Sequence, residues 1–152
     1  MPFVITDHSW WAVSEEFDVS LLAEGESFVA EIPDWLREKV AADEIRRDAT
    51  NLLNTRIRNA NDQVFAINGR ISNLNWLINI QDPEEMGDDY EAPTQADIDE
   101  LASLRAPLNK WNSYLNKLTK VAAQAGWPTD PAWPVAPAPY VLQMARALAD
   151  IT

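Results

Sequence analysis

The chain of 152 residues contains no cysteine. That excludes disulfides, thiolate metal sites and cysteine nucleophiles, and it suits a reducing compartment. Histidine occurs once, at His8, and the four glycines are scattered, so no Gly-rich loop is available to cradle a phosphate. Basic residues are missing from two long stretches: residues 1–34 hold eight acids and residues 82–100 hold nine, each without a Lys or Arg. No apolar run approaches the roughly 20 residues that span a bilayer. No base precedes the apolar positions of residues 1–20, so no signal peptide is expected. With a net charge of −12, phosphate backbones are disfavoured over most of the surface. Neither nucleic acid nor a membrane is expected as a partner.

What is present is apolar and aromatic. A hydrophobic fraction of 47% and seven tryptophans suffice for a real core. The spacing predicts an α+β protein, mainly α, in three parts: a small β element over 1–33, a helical hairpin over 34–126 and a Trp-Pro arm with a short terminal helix over 127–152. "FVIT" at Phe3–Thr6, "WWAV" at Trp10–Val13 and "SFVAEI" at Ser27–Ile32 are β-like, and "AEGE" at Ala23–Glu26 supplies a turn glycine. Pro33 ends this section, and Asp34 is expected as the N-cap of a long helix.

The most specific pattern follows. Leu53, Ile57, Ala60, Val64, Ile67, Ile71, Leu74 and Ile78 alternate at intervals of 4 and 3 between mostly polar neighbours, which is a coiled-coil seam. The helix is expected to run to Ile80. "QDPEEMGDDYEAPT" at 81–94 should break it, and Thr94 to Asp97 reads as a capping box with Asp replacing Glu. A second seam, Leu104, Leu108, Trp111, Leu115, Leu118, Ala122 and Ala125, repeats the alternation. Pro107 predicts a kink or a delayed start there, and Gly126 a C′ terminator. The two seams suit antiparallel packing on each other. Self-association through Leu53–Ile78 into a homo-oligomer is the alternative.

Candidate chemistry is sparse. Asp7-His8-Ser9 has the residue types of a hydrolase triad, yet consecutive side chains cannot converge on one reacting atom. The acids at 84–91 do not follow a calcium-loop pattern, because Pro83 follows Asp82 and Glu84 and Met86 take the third and fifth places. Asp97 and Asp99 are explained by the positive end of a helix dipole. No catalytic residue, metal or cofactor is expected, and the chain reads as a non-enzyme.

Aromatic residues carry more. Phe65 and Trp76 fall off the first seam, where they either pack under another element or mark a binding surface. "AGWPTDPAWPVAP" at 125–137 holds Trp127-Pro128 and Trp133-Pro134, and the residue before each proline is pushed to extended backbone. Such an arm loses little entropy on ordering and presents two indole anchors, either to its own hairpin or to a partner. After Pro139 a last helix with Val141, Met144, Leu148 and Ile151 on one face is expected.

A helix carrying Leu104, Leu108, Trp111, Tyr114, Leu115 and Leu118, followed by Trp127, Pro128, Asp130, Pro131, Trp133 and Pro134, resembles the C-terminal region of bacteriophage tail fibre assembly proteins. The resemblance spans residues 70–137, and the N-terminal segment lies outside it. It implies a small non-enzymatic chaperone that binds a trimeric tail fibre protein in the bacterial cytoplasm during assembly, and that in some members stays in the virion. Two other classes fit the residues: a structural coiled-coil adaptor of a baseplate or tail, and an acidic nucleic-acid mimic that inhibits a basic enzyme. The mimic rests on net charge alone, and its acids are concentrated in two stretches rather than spread over a face.

Overall fold

A computed structural model describes residues 1–140. The helix expected over Val141, Met144, Leu148 and Ile151 lies outside the described residues. The fold is α+β and mainly α, as the patterning predicts. Residue contacts divide the chain into two compact units, Met1–Asn51 and the part from Leu52 onward.

In the first unit three short strands form an antiparallel sheet: β1 (Phe3–Ile5), β2 (Trp10–Ala12) and β3 (Ser27–Val29), in the order β2-β1-β3. The β1–β2 turn is held by Thr6, whose hydroxyl accepts from Ser9 N at 3.0 Å while Thr6 N donates to the Ser9 carbonyl at 2.8 Å. Gly25 sits at φ 84° in the Ala23–Glu26 turn, where only glycine avoids strain. β3 stops at Val29, short of the expected Ile32, because the chain bends ahead of Pro33.

Alternation sorts the sheet's side chains. Phe3, Ile5, Trp10 and Val29 join Ile32, Leu36 and Val40 in one apolar cluster. This cluster covers the first turns of α1 (Asp34–Asn75). Val4 faces the other way, opposite Trp11 and Phe28 in register, and is still fully buried. Phe28 stacks on Phe17 at 6.1 Å on that side. Asp34 is not the N-cap: the Pro33 carbonyl accepts from Leu36 N and Arg37 N, which leaves Asp34 inside the first turn, where its charge still favours the helix dipole.

The second unit is the helical hairpin. α1 ends in a π-helical turn over Trp76–Ile80, closed by Gln81 N donating to the Trp76 carbonyl at 3.0 Å. The connection is more structured than a plain break. Asp82 caps a single helical turn, α2 (Pro83–Met86), with Pro83 at its first position and Gly87 at φ 56° ending it. α3 (Gln95–Ser103) opens on the expected capping box: Thr94 N donates to Asp97 Oδ2 at 2.7 Å and Asp97 N to Thr94 Oγ1 at 3.2 Å. The interruption foreseen at Pro107 appears as a break before α4 (Arg105–Leu118), since proline in the first turn has no N–H for the preceding helix.

Leu53, Ala60, Ile67 and Leu74, seven residues apart, are buried with Leu104, Trp111 and Leu118, also seven apart. Ile57, Val64, Ile71, Ile78, Leu108 and Leu115 flank them half-buried. The Leu53–Ile78 seam is therefore filled by this chain's own second helix. Arg70 pairs with Glu100, and Ala60 shares a cavity wall with Trp111, so the helices run antiparallel. Each such Leu or Ile contributes about 1.5–3 kcal/mol by burial, far more than helix propensity at these positions.

The last two positions of the second seam are corrected. α4 ends at Leu118, where Thr119 returns its hydroxyl to the Asn116 carbonyl at 2.7 Å, and a 3-10 turn over Val121–Ala123 follows. Ala122 and Ala125 are exposed, and Tyr114 and Val121 are the buried residues instead. Gly126 is not a positive-φ C′ residue either. It is glycine because the chain folds back on it: Asp130 N donates to the Gly126 carbonyl at 2.7 Å, and a Cβ at 126 would overlap the Asp130 carbonyl group.

Candidate functional site

The arm begins inside that turn, at a cis Trp127-Pro128 peptide. Gln124 fixes its course with both ends of one amide. Its Nε2 donates to the Ala132 carbonyl at 2.9 Å, and its Oε1 accepts from Ala132 N at 2.6 Å. This returns Trp133 towards Trp127, and the two rings meet edge to face with centroids 6.4 Å apart. The Arg56 guanidinium of α1 lies 4.5 Å from the Trp133 ring centre, a cation–π contact. Both indoles and Tyr140 pack half-buried on the hairpin core. Farther along, Tyr140 N donates to Gln63 Oε1 at 2.7 Å.

Of the residues singled out as partner-binding, Trp127, Pro128, Trp133 and Pro134 are thus half-buried in this chain's own arm. Trp76 and Phe65 are placed otherwise. Phe65 on α1 is 81% exposed, and in the π-helical turn Trp76 is 44% exposed and Ile80, which sequence reasoning passed over, 67%. The seam positions face α4, so these three form the outward side of the hairpin. Ile80 was missed because it lies past the last seam residue, although its place four residues after Trp76 is the spacing that keeps two helical side chains on one face.

Two recesses border the arm. One of about 520 Å³ lies between α1 and α4 and is walled by Arg56, Asn59, Gln63, Trp111, Tyr114 and Pro137. The other, of about 410 Å³, has Lys110, Ser113 and Lys117 on one side and Val135 and Pro137 on the other. The Trp111 indole N–H is buried without an acceptor among the described residues.

Electrostatics here serve structure. Arg70 donates from Nε at 2.9 Å and from Nη2 at 2.5 Å to the two Glu100 oxygens, tying α1 to α3. Those hydrogen bonds raise the Arg70 pKa above its usual value, against the opposing effect of burial. The Thr94 backbone N–H, then its hydroxyl, hold Asp97 below the ordinary carboxylate range. Burial pushes the Tyr140 phenol up. His8 lies in the exposed β1–β2 turn, its N–H donating to the Thr6 hydroxyl at 3.2 Å. Among the described residues no group of three or more His, Cys, Asp or Glu is placed to hold a metal, and no helix is long and apolar enough to cross a membrane. What the arrangement offers is surface for binding.

Comparison of the chain with family models, with curated proteins and with solved structures found no match.

Proposed function

We propose that this chain is a non-enzymatic assembly chaperone for a bacteriophage tail fibre protein, acting in the host cytoplasm and able to remain on the fibre in the virion. The observation that carries the reading is the contrast between a satisfied interior and an unsatisfied exterior. The seam is filled by α4 and the indole arm is docked, yet Phe65, Trp76 and Ile80 point outward from one side of α1. Trimeric β-rich fibres have high contact order and expose apolar surface while they assemble, and an outward aromatic face covers such surface. The resemblance of the α4–arm segment to tail fibre assembly proteins supplies the partner class.

A coiled-coil adaptor would use the Leu53–Ile78 seam to join other chains, and here that seam packs on α4. The test is co-expression with a trimeric bacteriophage tail fibre protein. Co-purification and a raised soluble yield of trimeric fibre are expected. Absence of both, or a stable homotrimer of this chain alone by light scattering, would sink the reading.

A further inference from the structure

The outward side of α1 has a shape that selects its occupant. Trp76 follows Phe65 by 11 residues, which is three helical turns and about 16 Å along the axis. The two aromatic side chains therefore stand on one side as posts. Between them, at the fourth and seventh places after Phe65, come Gly69 and Ser72. A Cβ built on Gly69 meets nothing within 4 Å, so the floor of the gap is bare backbone open to solvent. An α-helix with its side chains is about 10–12 Å across. One helix laid across α1 fits between the posts, and a glycine floor lets the two axes approach closely.

Charge decides the helix's character. Just beyond Trp76 and Ile80, residues 82–91 hold six carboxylates and no base, all exposed. None of the six is in an ion pair among the described residues. Carboxylates that follow the Trp76 post along the chain attract a segment whose apolar stripe meets the two aromatic posts and is bordered by Lys or Arg, and they repel the same segment bordered by Glu.

We infer that the Phe65–Gly69–Ser72–Trp76 face docks a basic amphipathic helix of a protein partner, its apolar stripe on the gap and its bases against the 82–91 carboxylates. This rests on the reading of the chain as a binder of an assembling protein, and it names the partner's chemistry.

The experiment titrates the full-length chain by calorimetry with two synthetic helices of one leucine pattern, one bordered by Lys and the other by Glu. Binding of the Lys helix alone is expected, weakening as salt rises from 50 to about 300 mM because the Debye length falls below 10 Å. Gly69→Leu closes the floor while improving helix propensity, so it should cut affinity about tenfold or more with helix content unchanged. Phe65→Ser should do the same, and a Asp88→Asn, Asp89→Asn, Glu91→Gln triple variant should lose most of the salt dependence. Equal binding of both helices overturns the inference, as does an undiminished affinity in Gly69→Leu. A concentration-dependent dimer that Phe65→Ser abolishes also overturns it, by making a second copy the occupant. Fibre co-purification that survives Gly69→Leu defeats this inference and leaves the chaperone reading standing. Lys-helix binding without any fibre co-purification does the reverse.

Discussion

Replacing Trp133 by alanine tests whether the arm is part of the folded hairpin. The indole is half-buried on the core, meets Trp127 edge to face at 6.4 Å and lies under Arg56 at 4.5 Å. Half of a tryptophan's buried area is about 100 Å², or about 2.5 kcal/mol at 25 cal/mol per Å². The aromatic pair adds about 0.5–1.5 kcal/mol and the cation–π contact about 0.5–1 kcal/mol. These contributions share the same ring and are not additive, so about 3 kcal/mol is the working figure. Urea unfolding of the full chain, followed by far-UV circular dichroism, reads this as a lower midpoint. In a thermal scan it corresponds to a fall of about 6–12 °C for a chain of this size. Val135→Ala is the control, because Val135 is 92% exposed on the same arm and should shift nothing. If Trp133→Ala costs less than about 1 kcal/mol, or no more than the control, the arm is not held as described. With the arm held as described, the double substitution at Trp127 and Trp133 should unfold or loosen the hairpin first, and lose a partner only as a consequence.

Gly126→Ala should cost about 2–4 kcal/mol by the same urea assay, because the added Cβ meets the Asp130 carbonyl group and opens the turn. Glu100→Gln removes the charge facing Arg70 across a half-buried pair, and a loss of about 1–2 kcal/mol in midpoint stability is expected, smaller than for a fully buried pair because solvent still reaches both groups. For Asp97 the folded pKa lies below 3.8, so its contribution is complete above that pH and disappears as pH falls through the lower folded value. Helix content of wild type and Asp97→Asn should therefore differ at pH 6 and converge as the pH falls well below 3.8; a constant difference would refute the capping role.

The seams were legible because a core helix must repeat its apolar residues every three or four places, and no other arrangement buries Leu53, Ala60, Ile67 and Leu74 together. The capping box was legible for a similar reason, since Thr94 and Asp97 satisfy one another locally. The strands were found but their ends were not, because β3 stops for a bend ahead of Pro33 that alternation does not encode. Gly126 was the instructive miss. A glycine after a helix is usually a positive-φ terminator, whereas here it yields space to a carbonyl four residues on, a tertiary fact without a periodic signature. The arm's prolines announced extended chain, and its two indoles left open which surface they would meet. The settling residues, Gln124 and Arg56, are polar and sit far apart in the sequence. The outward face at Phe65 and Trp76 could be marked as off the seam and the same counting reaches Ile80, whereas the open floor at Gly69 shows only in the coordinates.

The Gln124 amide imposes a metric on the chain. By giving and taking one hydrogen bond with Ala132 it stands in for a strand neighbour, and it does so across a fixed count of intervening residues. Adding or deleting one residue between them would turn Trp133 to the opposite side of the extended chain, away from Trp127 and Arg56. Residues 125–131 are thus counted as well as chosen. The acidic connection is held more lightly: among the described residues the Gln81 amide donates to the Glu91 carbonyl without accepting a bond in return, so a residue inserted at 87–90 should cost less stability than one inserted at 125–131.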